Sequence, residues 1–386
     1  MMNKIPENSN IILINLDGLR RDKISKIPSL EYLKNKSYFF NNMFTVAPYT
    51  FASLHAMISG LYPSSNGVDA YYNMFNFKKD EIETLPEQLK KLGYYTCCDI
   101  ISDSVMPKQG YDDYRIFDEE TVNFETRHDE LIKTLSSKEK FFLFLHYTEV
   151  HKYLVREIVE KYKDKNDDEY FNSKIENNER YESYLPLCDR YISTIINSLK
   201  KYGIYENTVL IFFSDHGTSI GEKKGEKFYG VFTYDYTIQV FCMMHFNNNF
   251  NNVIPQQCST IDIAPTILDF LDVKSSYKDT SIEGKSLLNL IQNSALPDRD
   301  IFVETGGLYG PWPSPKKHNV FCLRKNNKKL IYNDTPQTWE FYDLLDDPNE
   351  NHNIFSKSPE IKLFQEQLIS FLNQNKITTN LSTLHE

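Results

Sequence analysis

IILINLD, residues 11–17, is the stretch that decides the fold of this chain, and VLIFFSDH, residues 209–216, repeats its pattern. Short uninterrupted runs of β-branched and aromatic residues are typical of strands buried on both faces of a parallel sheet. Asp17 ends the first run, and Asp215 with His216 ends the second. Ligands of open α/β sheets bind outside the carboxyl ends of the strands. The two stretches therefore predict a polar site at that edge, suited to a divalent metal and an oxyanionic substrate.

The rest of the chain alternates between strand-like runs and helix-like segments. Tyr95–Ile100 and Phe141–Leu145 predict two more central strands, and Thr84–Gly93 predicts a helix with Pro near its start and Gly past its end. This alternation is typical of an α/β fold with a doubly wound, mostly parallel central sheet flanked by helices. Short strand candidates and a last helix follow, and predict a small antiparallel sheet with a covering helix. We therefore expect two parts, a domain over residues 1–295 and a C-terminal α+β subdomain over residues 296–386.

Thr50 lies where the chain turns into an apolar-periodic segment that ends at Gly60. Free backbone N–H groups and the helix dipole favour an anion at such a helix N-terminus. The pattern therefore predicts an oxyanion site near Thr50. Threonine is also a good N-cap residue, so a purely capping role for Thr50 is the alternative.

Composition restricts the classes of partner and the compartment. The chain has 386 residues, 40% of them hydrophobic, and a formal charge of −10, which argues against binding of a nucleic acid polymer. It has no secretory signal pattern at its start and no apolar run of the ~18 residues that a membrane span needs. The six cysteines lie mostly in apolar runs without metal-ligand spacing, which is typical of free buried thiols. We expect a cytoplasmic protein without membrane insertion.

Five segments, in this order, resemble the sulfatase-like branch of the alkaline phosphatase superfamily. They are Leu16–Arg20, Thr50–Val68, Ser214–Gly217, Ile261–Leu268 and Phe341–Glu350. The resemblance implies an alkaline-phosphatase-like fold in which Asp17, Asp215 and His216 bind a divalent metal, with Thr50 as a further ligand and as the nucleophile. Carboxylate oxygens with one imidazole suit Mn²⁺ or Zn²⁺, with Ca²⁺ or Mg²⁺ as alternatives. One ion is expected, and a second is an open alternative.

Position 50 departs from the usual sulfatase pattern, in which a Cys or Ser is oxidised to formylglycine and is followed by Pro and Arg. This chain has Thr50 followed by Phe51–Leu54. Threonine together with Asp-Gly resembles the nucleotide pyrophosphatase/phosphodiesterases and the phosphoethanolamine or phosphoglycerol transferases. The resemblance implies cleavage or transfer of a phosphoester or phosphodiester through a phospho-Thr50 intermediate, with a small phosphorylated or glycan-linked substrate. The alternatives are a sulfuric ester hydrolase without formylglycine and a catalytically silent scaffold in glycan assembly.

A second group of polar residues follows the predicted strand at 141–145. The resemblance makes His146, Glu149 and His151 candidates for a second metal or for the substrate, with His318 as a downstream candidate ligand. The alternative is a surface turn with a histidine whose hydrogen bonds are satisfied.

Two further residues are candidates for contact with the substrate. Ser53, one turn after Thr50, is at the position where the diesterases have an Asn that contacts the phosphate, so the resemblance implies that Ser53 donates a hydrogen bond to it. Lys227 lies in a charged loop after Gly217, where relatives place Lys or His near the substrate. A run of charges is more often a solvated loop, which is the alternative for Lys227.

Overall fold

A computed structural model describes residues 8–152, 154–159, 161, 167–246, 252–273, 282–292, 297–307 and 319–383. Their strands form two sheets, a large central one and a small C-terminal one.

The central sheet contains the two stretches that end in acidic residues. Its strands are β1 Asn10–Leu16, β2 Tyr38–Phe44, β3 Tyr95–Ile100, β4 Asp113–Ile116, β5 Phe141–Tyr147, β6 Thr208–Phe213, β7 Gln239–Phe246 and β8 Asn252–Ser259. They are ordered β4-β3-β5-β1-β6-β7-β2-β8. Strand β7 runs antiparallel to β6 and β2, and the other pairs are parallel. The mostly parallel sheet expected from the sequence is confirmed.

Helices cover both faces of this sheet. The α-helices in the described residues are α1 Pro28–Lys34, α2 Thr50–Ser59, α3 Pro63–Asn66, α4 Leu85–Lys91, α5 Phe124–Leu135, α6 Asp167–Asn172, α7 Lys174–Glu182, α8 Leu185–Lys201, α9 Asp235–Ile238, α10 Ile263–Phe270, α11 Leu288–Gln292 and α12 Ile361–Gln374. Side chains of β1 alternate between the faces. Ile12 and Ile14 belong to the core that contains α5 and α8, whereas Ile11 and Leu13 belong to the core that contains α2, α4 and α10.

The C-terminal sheet is antiparallel, as expected. Its strands are β9 Ile301–Gly306, β10 Asn319–Lys325, β11 Lys328–Asn333 and β12 Thr338–Asp343, and its hydrophobic residues pack with those of α12. The predicted domain boundary after residue 295 lies outside the described residues, so that division stays a prediction.

Two expectations from composition can be compared with the structure. All six cysteines are buried free thiols, which confirms that prediction. In the described part of the chain, no helix combines the length and the apolar character that a membrane crossing requires. The cytoplasmic location remains an expectation.

Candidate functional site

The polar site forms because β1 and β6 are direct neighbours in the sheet. Asn15 of β1 pairs with Phe213 of β6, so the residues that follow the two strands emerge side by side. Gly18 adopts a φ of 69°, a left-handed conformation that suits glycine in a sharp turn. Its backbone N–H donates to Oδ1 of Asp215 at 3.4 Å. The sheet register thus places Asp17 and Asp215 next to each other at one edge of the sheet.

Asp17, Asp215 and His216 form a group whose candidate ligand atoms all lie within 4.8 Å of one another. All three are buried. The Nε2 atom of His216 lies 3.5 Å from Oδ1 of Asp17 and 3.7 Å from Oδ2 of Asp215. Both of these carboxylate oxygens are buried without a hydrogen-bond partner in the protein. Buried anionic oxygens without a donor are costly, and a cation between them would remove that cost. The group therefore fits a divalent metal.

The tautomer of His216 supports the same conclusion. Its Nδ1 atom lies 2.8 Å from the carbonyl oxygen of Gly217. A carbonyl only accepts hydrogen bonds, so Nδ1 carries the proton and Nε2 presents its lone pair to the carboxylates. A metal-binding histidine is usually oriented in this way by a hydrogen bond from its other nitrogen.

Thr50 is the first residue of α2 and reaches this group. Its Oγ1 atom lies 3.1 Å from Nε2 of His216 and 3.4 Å from Oδ2 of Asp17. The N-cap position belongs to Tyr49, whose side chain makes no capping hydrogen bond. The Thr50 hydroxyl is therefore directed at the polar group and does not cap the helix.

The two carboxylates have opposite pKa shifts. Burial by itself would raise the pKa of Asp17, but electrostatic interactions with the nearby His151, His146 and His216 rings and a hydrogen bond from His146 hold it well below its usual range. Burial raises the pKa of Asp215, and the negative charge of Asp17 raises it further. The repulsion between the two acids is what a bound cation would relieve.

His151 lies at the border of this site. Its Nδ1 atom is 3.2 Å from Oε1 of Glu119, and its Nε2 atom is 3.3 Å from the hydroxyl of Tyr229. Burial lowers the pKa of His151, but the negative charges of Asp17 and Glu119 outweigh burial and raise the pKa to about 9. The Tyr229 ring also packs 4.2 Å from the ring of His216. Sequence reasoning missed Glu119, because no motif surrounds it.

His146 and Glu149 have different environments. The Nε2 atom of His146 lies 2.8 Å from Oδ2 of Asp17, and the ring is fully buried. Glu149 instead accepts a hydrogen bond from Lys152 at 2.8 Å. Within the described ranges, no second group of three His, Cys, Asp or Glu ligands is as close together as the first. A second metal at His146, Glu149 and His151 stays a prediction.

The remaining residues predicted to contact a substrate or a second metal are Ser53, Lys227 and His318. Ser53 is fully buried, and its hydroxyl donates to the backbone carbonyl of Asp215 at 2.9 Å. It therefore supports the loop after β6. Lys227 is half-buried in the loop before Tyr229. His318 lies outside the described residues. Contact of Ser53, Lys227 or His318 with a substrate remains untested.

Two family models match the chain. The Sulfatase model matches residues 9–273. The model for the C-terminal part of N-sulphoglucosamine sulphohydrolase matches residues 225–378. The first range contains Thr50 and the candidate metal-binding group, which consists of Asp17, Asp215 and His216.

Curated relatives have sulfatase names. The chain is 29% identical over 199 residues to N-acetylglucosamine-6-O-sulfatase of Bacteroides thetaiotaomicron, a match that covers 49% of this chain and 33% of that protein. It is 29% identical over 211 residues to arylsulfatase K of Rattus norvegicus, a match that covers 51% of this chain and 36% of that protein. The chain thus spans about a third of the length of the curated relatives it matches.

Solved structures share the fold over nearly the whole chain. A protein solved in complex with its substrate D-glucosamine-2-N,6-O-disulfate is similar with a TM-score of 0.75 and 18% identity, covering 96% of this chain and 98% of that one. The phosphonate monoester hydrolase of Agrobacterium radiobacter has a TM-score of 0.75 at 15% identity, covering 95% of this chain and 96% of that one. At these identities the likeness establishes the fold. Because the Sulfatase model matches more than half of its residues, the chain belongs to the sulfatase family.

Proposed function

We propose that this chain is a metal-dependent enzyme that cleaves or transfers a phosphoester or phosphodiester through a covalent phospho-Thr50 intermediate. The observation that carries the proposal is the position of the Thr50 hydroxyl, 3.1 Å from Nε2 of His216 and 3.4 Å from Oδ2 of Asp17. Formylglycine is an aldehyde, and it forms by oxidation of a side-chain CH₂ group. Threonine carries a methyl group on that carbon, so its oxidation would give a ketone. Thr50 is therefore proposed to act as an alcohol.

A divalent cation held by Asp17, Asp215 and His216 would lower the pKa of the Thr50 hydroxyl and stabilise charge on the ester oxygens. In the first step, the Thr50 hydroxyl loses its proton to solvent, Oγ1 forms a bond to phosphorus, and the bond from phosphorus to the leaving oxygen breaks. His151 is the proposed proton donor to that oxygen, because its ring borders the site and the negative charges of Asp17 and Glu119 favour its protonated form. In the second step, water or an acceptor alcohol attacks phosphorus and gives its proton to His151, the bond between phosphorus and Oγ1 breaks, and Thr50 recovers its proton from solvent.

We propose that the rest of the substrate occupies a cavity of about 640 Å³ next to α2, whose lining includes His55, Phe75, Asp103 and Lys108. His55 lies five residues after Thr50 on the same helix, which corresponds to ~7.5 Å along the helix axis. Phe75 exposes 78% of its surface beside charges of both signs. An exposed ring flanked by charges suits a ligand with apolar and polar faces, such as a sugar. This supports a glycan-linked substrate.

The test is a substrate panel with matched Thr50 variants. Bis(4-nitrophenyl) phosphate, 4-nitrophenyl phenylphosphonate and 4-nitrophenyl sulfate share one leaving group and differ in the atom attacked. We expect turnover of a phosphorus ester in the presence of Mn²⁺ or Zn²⁺, loss of turnover in Thr50→Ala, and partial activity in Thr50→Ser. A phosphate adduct on Thr50, detected by mass spectrometry after rapid acid quench, would identify the intermediate. Full activity of Thr50→Ala with metal bound would overturn the assignment.

The names of the curated relatives favour a second candidate, hydrolysis of sulfate esters by Thr50 without formylglycine. The same panel separates the two functions, because sulfate turnover that exceeds phosphodiester turnover would support the second. Absence of turnover together with absence of a bound divalent ion would instead favour a silent scaffold in glycan assembly.

A further inference from the structure

One hydrogen bond behind the metal-binding group has no role in the proposed mechanism. His146 lies near the end of β5, the strand that pairs with β1 on the side away from β6. Its Nε2 atom lies 2.8 Å from Oδ2 of Asp17, and the His146 side chain is fully buried. This contact is shorter than those of Asp17 with Thr50, at 3.4 Å, and with His216, at 3.5 Å.

The two carboxylate oxygens of Asp17 have different surroundings. Oδ2 accepts from His146, while Oδ1 has no hydrogen-bond partner and lies 3.5 Å from Nε2 of His216. A carboxylate can rotate about its terminal torsion, which has broad and shallow preferences. A fixed donor on Oδ2 restricts that rotation and keeps Oδ1 beside His216 and Asp215.

Asn15 lies beside His146 in the sheet. The two residues are register partners on adjacent strands, a spacing of ~4.8 Å between strands. Nδ1 of His146 and both polar atoms of the Asn15 amide are buried without a hydrogen-bond partner in the protein. If Nε2 donates to Asp17 from a neutral ring, Nδ1 is an acceptor and needs a donor of the kind that the Asn15 amide carries.

We propose that His146 is a positioning residue that orients the Asp17 carboxylate for the divalent cation. In this role it acts through Asp17, to which its Nε2 atom is hydrogen-bonded, and not as a ligand of that cation. The inference rests on the proposed function, because it needs the cation to bind at Asp17, Asp215 and His216.

Metal affinity tests the inference without a measurement of turnover. Mn²⁺ and Zn²⁺ are titrated calorimetrically into chelator-treated wild-type protein and into His146→Ala, His146→Gln and Asn15→Leu. We expect His146→Ala to weaken binding by roughly 10- to 100-fold, the range seen when outer hydrogen bonds to metal ligands are lost. His146→Gln keeps an N–H donor at a similar reach, so its affinity should lie within a few-fold of wild type. Asn15→Leu should weaken binding by less than His146→Ala.

His128 gives a matched control. It is also a fully buried histidine with Nε2 on an aspartate, 3.0 Å from Oδ2 of Asp99, but it lies outside the metal-binding group. His128→Ala should lower the melting temperature and leave the Mn²⁺ affinity unchanged. Equal affinity of wild type and folded His146→Ala would overturn the inference and leave the proposed function intact. If His146→Ala does not fold, His146→Leu replaces it, because leucine retains the side-chain volume and has no hydrogen-bond donor. A Mn²⁺ affinity of His146→Leu equal to that of the wild type would then overturn the inference. Absence of metal binding by the wild type would overturn both.

Discussion

At the scale of single residues, the site places two like charges together. Asp17 and Asp215 follow adjacent strands, and each has a buried oxygen without a donor. Burial and the charge of Asp17 raise the pKa of Asp215, so the metal-free protein carries a destabilising repulsion. Natural proteins commonly retain such local costs where function requires them.

Asp215→Asn should therefore separate stability from metal binding. The Asn Oδ1 atom can still accept from the backbone N–H groups of Gly18 and His216, and the like-charge repulsion disappears. We expect a higher free energy of unfolding in EDTA, by on the order of 1 kcal/mol, and loss of Mn²⁺ binding. Urea denaturation and calorimetry measure the two effects. Lower stability combined with retained binding would contradict the assignment of Asp215 as a ligand.

His151 predicts a dependence of rate on the leaving group. A proton donor matters most for a poor leaving group, so His151→Gln should lower kcat/KM for alkyl phosphodiesters by roughly 10²- to 10⁴-fold and much less for 4-nitrophenyl esters. In the wild type, the donor must be protonated. Its contribution should therefore be present below a pKa of about 9 and be lost as the pH rises through that value, with a lower midpoint when a cation offsets the charge of Asp17. An equal loss on both ester classes would argue against proton donation.

At the scale of elements, the loop after β6 is held against α9. Gly217 donates its backbone N–H to the carbonyl of Thr237 at 2.8 Å, and a Cβ at position 217 would overlap the carbonyl oxygen of Tyr236. Relief of that overlap requires the loop to move away from α9. Asp215 and His216, which directly precede Gly217, would move with it.

Gly217→Ala should consequently weaken Mn²⁺ binding more than tenfold and lower the melting temperature. The control is Gly203→Ala, because a Cβ there meets no atom within 4 Å although φ is 71°. That variant should lose only the ~1–2 kcal/mol of a left-handed alanine and retain metal affinity. Equal affinities in the two variants would show that the loop tolerates displacement.

The position of each strand in the sheet explains which strands could be predicted from the sequence. Strands β1, β3, β5 and β6 are apolar and central, and the sequence pattern identified all four. Edge strand β4 has the charged sequence DYRI, and edge strand β8 contains Pro255, which is confined to positions such as sheet edges. Strand β2 is interrupted by a bulge between Phe40 and Met43. These strands depend on their neighbours for backbone hydrogen bonds, so their local sequence carries a weaker signal.

At the scale of the whole molecule, a buried acid beyond the metal-binding group affects stability. The side chain of Glu226 accepts from the backbone N–H groups of Val231 and Phe232 and from the hydroxyl of Tyr236. Burial outweighs these hydrogen bonds and raises its pKa from 4.5 to about 7. The folded state therefore binds this proton more tightly than the unfolded state does. The stabilisation that protonated Glu226 contributes to the folded state is fully present below pH 4.5 and is lost as the pH rises through about 7.

Glu226→Gln removes the titration and can keep these hydrogen bonds. Relative to wild type, the variant should gain free energy of unfolding between pH 5 and pH 8, by up to roughly 3 kcal/mol. Urea denaturation across this pH range measures the difference, with Glu206→Gln on the exposed surface as the control. A constant difference between the two proteins would show that Glu226 does not titrate there.

Local patterns were enough to predict the central strands, the helix that begins at Thr50, the C-terminal antiparallel sheet, and the placement of Asp17, Asp215 and His216 at one edge. The strands and helices could be predicted because apolar periodicity is a local property of a few neighbouring residues. The common position of the site residues could be predicted because neighbouring parallel strands have their carboxyl ends at the same edge of the sheet. Only the tertiary structure decided that His146 contacts Asp17, that Ser53 supports a backbone carbonyl, and that Glu119 and Tyr229 contact His151. Those contacts depend on strand register and loop packing between residues far apart in the chain, and no local pattern specifies them.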